Sequence, residues 1–349
     1  MRILLHGRIY PDSFARNIAV TIERMGHTLC SIEDSPIHRH SNRYWQAFWG
    51  LLPRAFPAFE RRRHRALVRA AGEFGPDLIL LTYGNVPPEV IRELRRSCAA
   101  KIAVWFPDPL ANFGRQYLLA SELDAWFFKD PYLVRLFREK LGINTHYLPE
   151  ACNPLWHRRL ELSPTDRTKY QCDLNTVGNM YYYRAKMLEP FLEYDLKVWG
   201  ASFPSWLSSP VRRFYPGIYV AEEEKAKAFI AAKIVLNIMF YSEIEGVNWR
   251  VFEAAGCGSF QIADWKPALA ELFEPEREIV TFRTRNELKE KVDYYLRHPE
   301  ERAAVADRAY SRAHREHTYE IRLRTMFEIL GLGGQDQIPA VEARAEEGH

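Results

Sequence analysis

The chain reads as α/β: open sheets of mainly parallel strands with helices laid between them, in two halves built on the same plan. Three observations predict this. Short apolar runs of strand length alternate with stretches of helical period along most of the chain. The opening has a strand at 2–6, a turn at Gly7 and Arg8, a helix at 12–25 and a second strand at 27–32, which is how an open α/β sheet begins. The third is the stretch 244–264, IEGVNWRVFEAAGCGSFQIAD, a loop, a helix, a tight small-residue turn and a strand.

At 349 residues the chain exceeds one ordinary core, so two domains are expected. A net charge of +3 is too small to argue for nucleic-acid binding by itself. No apolar run approaches the ~18–20 residues that span a bilayer. The opening MRILLHG is too short and too quickly polar for a secretion signal. Five scattered cysteines without a C-x-x-C pair suggest reduced thiols in a cytoplasmic protein rather than a disulfide frame or zinc site. Cys257, in the tight turn, reads as a small buried residue before it reads as a nucleophile.

The first helix carries Phe14, Ile18 and Ile22 at helical spacing and closes at Gly26. Its preceding turn has only Gly7, so it is no dinucleotide fingerprint, and Gly7 with Arg8 is expected to line a cleft at the strands' carboxyl ends. Residues 38–71 break the pattern: six aromatics (Tyr44, Trp45, Phe48, Trp49, Phe56, Phe59) precede five arginines (Arg61, Arg62, Arg63, Arg65, Arg69). A helical insertion packed on the sheet, an acceptor or partner-protein site, and a surface resting peripherally on an anionic membrane all fit that composition. The rhythm resumes with a strand at 77–82, a helix at 88–97 whose proline suits the first turn, and a strand at 101–106. Asp108 then stands between two prolines at a strand's carboxyl end, either a turn residue or a candidate base. A strand at 125–128, a helix from Pro131 to about 140 and a strand at 144–148 complete a first domain of about 1–150.

Prolines 149, 154 and 164 in aperiodic sequence mark a linker over 151–169. A strand at 170–177 runs into Gly178 and Asn179, and Arg184 and Lys186 lie in the first turns of the next helix. A strand at 195–198 ends at Trp199 and Gly200; after a loop come a helix at 222–232 and a strand at 234–238. Further elements are expected at 259–263, 278–281, 286–297 and 299–312, closing a second domain at 170–316. An amphipathic helix at 318–330 and a fraying tail over 331–349 end the chain.

Within 244–264, Val247 and Asn248 sit where a helix begins, with Asn248 as its N-cap before Trp249. A helix start suits a phosphate. Arg250 in the first turn is disfavoured there unless an anion is present, and Glu253 follows on the same side. An arginine on a diphosphate beside a carboxylate taking sugar hydroxyls explains the pattern; a solvated i,i+3 pair is the plainer reading.

Several stretches together resemble the GT-B glycosyltransferases of the retaining E-x7-E group, and within it the CgeB-like (spore maturation protein) enzymes. They are AVWFPDP at 103–109, FFKDPYLVRLF at 127–137, HYLPEACNP at 146–154, DLNTVGNMYYYR at 173–184, DLKVWG at 195–200, NWRVFEAAGCGSFQIAD at 248–264 and the helical run at 287–322. The resemblance covers nearly the whole chain apart from the aromatic–basic insertion and the tail. It implies two Rossmann-like domains facing a cleft, a nucleotide-sugar held mainly by the second, and a final helix crossing back to the first. Glu253 matches the glutamate that accepts hydrogen bonds from ribose hydroxyls, and Glu245 the one that contacts the donor sugar. Between them stands GVNWRVF where relatives are richer in glycine, a departure that bears on Glu245 more than on Glu253. Arg184 matches a diphosphate-binding cation, with Arg250 as a second; Gly178, Asn179, Gly200, Val247, Asn248 and Trp249 complete the expected donor site.

A departing diphosphate needs a metal or fixed cations to take its charge. The chain has no Asp-x-Asp, so metal-independent transfer is expected, with no cofactor beyond the nucleotide-sugar substrate. Retention is what the family implies, and UDP- or dTDP-sugars are the expected donors. An inverting route would need a base, for which Asp108 is the first candidate, with Asp12 and His6 behind it. The acceptor (protein, glycan, lipid or small metabolite) is open. An epimerase or hydrolase on the same architecture, or a non-catalytic binding protein, are the alternatives.

Overall fold

The computed structural model describes residues 1–33, 64–112, 117, 119–200 and 203–333. The six aromatics named in the aromatic–basic stretch and Arg61 to Arg63 therefore lie outside the described residues, as does 334–349; Arg65 and Arg69 belong to the helix Arg65–Phe74.

Two all-parallel sheets carry the chain. The first holds β1 (Arg2–Gly7), β2 (Thr28–Glu33), β3 (Leu78–Leu81), β4 (Lys101–Phe106), β5 (Ala125–Phe128) and β6 (Thr145–Tyr147) in the order β2-β1-β3-β4-β5-β6. The second holds β7 (Cys172–Val177), β8 (Leu196–Trp199), β9 (Ala232–Asn237), β10 (Gln261–Asp264) and β11 (Val280–Phe282) in the order β11-β10-β9-β7-β8. Central strands such as β3, LILL, are buried at every position, because helices cover both faces and leave no polar alternation to read. Local caps set the helix starts. Ser13 accepts a hydrogen bond from the Arg16 N–H and begins Phe14–Arg24, while Asp130 accepts one from Tyr132 N–H and begins Pro131–Leu141.

Both sheets change direction at one point. The chain leaves β1 to one side for β2 and returns to the other side for β3; β7, β8 and β9 repeat this in the second sheet. The crevices where ligands bind in such sheets therefore open beyond the carboxyl ends of β1 and β3, and of β7 and β9.

The span expected as linker is partly helical. Pro164–Tyr170 forms a helix behind a capping box, Ser163 and Asp166 bonding each other's backbone N–H, and β7 begins only at Cys172. The S-P-T-D start signal is local, but seven residues are too few to show a period.

The final helix, Tyr319–Ile329, packs on Phe14–Arg24 of the first lobe. Thr318 caps it, and a parallel bridge ties Thr318 to Cys152, whose carbonyl accepts from Tyr319 N–H at 3.1 Å. Tyr319, Leu323, Met326 and Phe327 complete the first sheet's core beside Phe14 and Trp105. Burying four such side chains contributes roughly 1.5–3 kcal/mol each, so the crossover is part of the first lobe's stability. Among the described residues no helix is long and apolar enough to cross a membrane.

Candidate functional site

The two crevices meet in one cavity of about 620 Å³. The first lobe supplies Tyr10, Asp12, Tyr83, Asp108 and Lys129, and the second supplies Gly178, Asn179, Arg184, Gly200, Lys225, Glu243, Trp249 and Arg250.

Arg184 and Arg250 form one wall. Both are buried, and among the described residues neither has a carboxylate at ion-pair distance. They are held by main-chain carbonyls instead. Arg184 donates to Asn179 O at 2.5 Å and Ile238 O at 3.0 Å; Arg250 donates to Val177 O and, at 3.3 Å, to the same Ile238 O. The Arg184 Nε has no hydrogen-bond partner. Burial, reinforced by the neighbouring Arg250 charge, pushes Arg184 down to about 9, and burial also lowers Arg250. Carbonyl dipoles orient the two forks without cancelling their charge. Gly178, at φ +122°, makes room for them: a Cβ there would meet Arg250 Nη1 at 2.6 Å and Arg184 Nη1 at 3.1 Å. A Cβ on Gly200 would meet Gly178 O at 2.4 Å, so both glycines are fixed by close approach.

Lys225 bridges the lobes. Its ammonium donates to Asp12 Oδ2 at 2.7 Å and Glu253 Oε1 at 2.5 Å, and it lies 5.5 Å from the Trp249 ring centroid. His157 Nε2 sits 3.4 Å from the same Glu253 oxygen. Burial opposes the Lys225 charge, but the Asp12 and Glu253 carboxylates outweigh it and raise its pKa. Burial raises the Asp12 carboxyl despite the lysine, and holds His157 down to about 3 and therefore neutral. Ligand atoms of Asp12, His157 and Glu253 lie within 4.8 Å of one another, a spacing that suits a cation, and the Lys225 ammonium already bonds two of the three. Asp12 adopts φ +68°, a backbone shape that Asp tolerates better than most residues.

A second buried lysine lies on the cavity's other side. Lys129 Nζ bonds Glu243 Oε1 at 2.7 Å and stands 3.7 Å from Glu150 Oε2. Nearby, Asp130 accepts from the Ile244 and Glu245 N–H groups, each at 3.2 Å, which lays the 243–246 loop against the first lobe.

Placement of the expected site residues divides into two sets. Arg184, Arg250, Gly178, Asn179, Gly200, Asn248, Trp249, Asp12 and Asp108 all line the cavity. Glu253 does not: it is 1% exposed and lies behind Lys225, although its Oε2 has no hydrogen-bond partner. The solvated Arg250–Glu253 pair is excluded, since both are buried and bond elsewhere. Glu245 also lies off the cavity wall, its carboxylate paired with Arg135 at 2.5 Å. Val247 is core, packed with Met239 and Val251. Gly7 packs against Thr82, where a Cβ would meet Thr82 Oγ1 at 2.1 Å, and Arg8 is exposed with its guanidinium over the Tyr83 ring. His6 bonds Ile32 O at 3.0 Å and meets His64 edge-on, away from the cavity lining. Asn248 is no N-cap: its amide donates to Asn237 Oδ1 and its oxygen accepts from Arg250 Nε, while the helix Arg250–Gly256 starts without a side-chain cap.

Lys225, Lys129, Glu150, Glu243 and His157 were not singled out by the sequence. Lys225 stands in EEEKAKAF, which reads as a solvated helix face. The one available signal for Glu150 and Lys129 was their place in FFKDP and HYLPEACNP, at strand ends.

A family model described as glycosyl transferase-like matches residues 184–328. Among curated proteins, spore protein CgeB of Bacillus subtilis (strain 168) is 26% identical over 255 residues, covering 68% of this chain and 77% of that protein. Among solved structures, the sucrose-phosphate synthase of Thermosynechococcus elongatus superposes with a TM-score of 0.70 at 14% identity, over 94% of this chain and 98% of its own. Anabaena HepE in complex with UDP-glucose gives 0.65 at 13% identity, over 95% and 99%. These structural likenesses speak for the shared two-lobed fold.

Proposed function

We propose that the chain is a CgeB-like glycosyltransferase of GT-B fold that takes a UDP- or dTDP-sugar, without a metal and with retention. The observation that carries this reading is the pair of buried guanidinium groups at the cavity wall with, among the described residues, no carboxylate at ion-pair distance. A buried cation lacking a counter-charge is costly, and a diphosphate supplies that charge together with oxygens matched to the guanidinium fork. Both groups are already oriented by main-chain carbonyls, so stabilising the departing diphosphate needs little reorganisation.

In this reading Arg184 and Arg250 bind the diphosphate and take up the charge that develops as the sugar–phosphate bond breaks. The ribose lies against Trp249 and Lys225. Glu253 orients Lys225 from behind. In a retaining course the departing phosphate accepts the acceptor's proton, and Asp108, on the first-lobe wall, faces the acceptor. HepE, whose solved complexes contain UDP, UDP-glucose, or UDP with glucose, supports the donor class by likeness of fold. The acceptor is a sugar or other hydroxyl compound entering from the first lobe.

The test is calorimetric titration with UDP, dTDP and GDP, with and without EDTA, followed by turnover assays on the matching nucleotide-sugars. Micromolar binding of UDP or dTDP that survives EDTA and is lost in Arg184→Met is the expected result. Absence of any nucleoside-diphosphate binding would refute the reading. Conversion of the donor sugar without an acceptor would assign an epimerase instead.

A further inference from the structure

The Lys129–Glu150–Glu243 cluster has no part in the diphosphate reading, yet all three residues line the same cavity. They come from three separate places: the carboxyl end of β5, the chain leaving the first lobe, and the loop after β9. Their side chains are 4%, 4% and 3% exposed. Lys129 bonds one carboxylate firmly and the other loosely, leaving Glu150 Oε2 and Glu243 Oε2 with no hydrogen-bond partner. Two such orphaned oxygens in one cluster are uncommon, since buried polar atoms are nearly always paired. The cluster is nevertheless rigidly held. Lys266 donates to Glu243 O at 2.5 Å, and a Cβ on Gly246 would meet Lys129 O at 2.5 Å, so loop and first lobe are in direct contact.

We propose that Glu150 and Glu243, spaced by Lys129, form a subsite that hydrogen-bonds to adjacent hydroxyls of a sugar ring in the cavity. The chemistry selects that ligand. Two carboxyl groups flanking one ammonium match a polyol, whose hydroxyls both donate and accept. A phosphate would be repelled by the Glu243 carboxylate, a second cation would meet the Lys129 ammonium, and an apolar group would leave every orphan unsatisfied. The ring has two sources, the donor's sugar or a sugar acceptor, which share this chemistry. The subsite takes over the hydroxyl contacts that Glu245, turned away to Arg135, does not make in this structure. The inference rests on the nucleotide-sugar reading but is separable from it, because neither carboxylate contacts the arginines that hold the diphosphate.

Glu150→Gln and Glu243→Gln keep shape and fold while replacing one carboxyl oxygen of each by an amide nitrogen. Each is titrated with UDP, with dTDP, with a panel of UDP- and dTDP-hexoses, and with free hexoses in the presence of saturating nucleoside diphosphate. The wild-type chain is expected to bind one hexose nucleotide more tightly than the bare diphosphate, or one free hexose once the diphosphate is bound. Both variants keep diphosphate affinity, which also shows that they fold, and lose that sugar increment by roughly tenfold or more, about the size of one hydrogen bond. Loss in the hexose-nucleotide arm assigns the donor ring, and loss in the free-hexose arm assigns the acceptor. A wild-type chain with no sugar increment in either arm, or variants that retain it unchanged, overturns the subsite. Failure of all diphosphate binding would fall on the earlier reading instead.

Discussion

Arg184→Met should raise the stability of the ligand-free protein while destroying its affinity for nucleoside diphosphates. The side chain is buried against Arg250 with no ion pair, and its fall from the ordinary guanidinium range to about 9 corresponds to on the order of 5 kcal/mol of unfavourable environment. Methionine removes that cost and fills similar volume. Two penalties oppose the gain. Asn179 O is left without its donor, whereas Ile238 O keeps Arg250. One orphaned carbonyl costs about 1–3 kcal/mol, and imperfect packing of the methionine takes a further part. A net gain of roughly 1–2 kcal/mol remains, or several degrees in Tm at about 2–4 °C per kcal/mol for a lobe of this size. Binding moves the other way. Without two charge-assisted hydrogen bonds to a diphosphate, each worth about 1.5–3 kcal/mol, UDP or dTDP binds at least a hundredfold more weakly, at ~1.4 kcal/mol per factor of ten. Calorimetric titration and thermal unfolding on the same preparations read both signs. A variant that is less stable than wild type yet binds the diphosphate normally would show that Arg184 is a structural residue, and the donor site would have to be sought elsewhere.

Removing one member of the Lys225 network should do the reverse: Glu253→Ala leaves a buried ammonium with Asp12 alone and should cost about 3–5 kcal/mol in chemical denaturation. Unchanged stability would mean Lys225 finds water when its partner goes. Gly178→Ala drives a Cβ onto Arg250 Nη1 at 2.6 Å and forces a left-handed backbone on alanine, so diphosphate affinity should fall with Arg184 and Arg250 intact in sequence; normal affinity would refute that packing. The pH profile of stability carries a signature of Glu150. Burial raises its carboxyl to about 8, so between about 4.5 and 8 the native state keeps a proton that the unfolded chain has lost, and stability falls as pH rises through that window. Glu150→Gln should flatten this fall, and an unaltered profile would count against it. His157 works oppositely: held down to about 3 by burial, it stays neutral while the unfolded imidazole gains a proton below about 6.5, so stability falls as pH drops, and His157→Gln should soften that acid limb.

What the sequence made legible was whatever repeats locally. The strand at 101–106 and the helix at 88–97 coincide with Lys101–Phe106 and Pro88–Ser97, because a five-residue apolar run and a first-turn proline are complete signals within one element. Arg184, Gly178 and Gly200 were named through the resemblance; Gly178 and Gly200 follow the carboxyl ends of their strands, Arg184 lies in the helix after the first of them, and all three line the cavity. Asn248 was misread as a cap, since the same amide that suits a helix start suits Asn237 and Arg250 equally, and only the fold decides which it meets.

The ion pairs crossing the cleft were not legible, and distance along the chain explains why. Lys129 meets Glu243 across 114 residues and Lys225 meets Asp12 across 213, so no window of sequence contains both partners. Lys225 stands among charged neighbours that look solvated and Lys129 at the loop end of an apolar strand, and in neither case does the local sequence show that the opposing lobe buries the side chain. Removing a lysine from water without its carboxylates would cost several kcal/mol, so the closed arrangement and the two pinned lysines require each other. That coupling also accounts for the position of Glu245. The Asp130 carboxylate draws the Ile244 and Glu245 N–H groups to the first lobe, the loop follows, and the Glu245 side chain is carried out to Arg135 while Glu243 is left facing the cavity. A spacing of eight residues can name two glutamates, but which carboxylate faces the ligand is settled by the surface the loop is laid against.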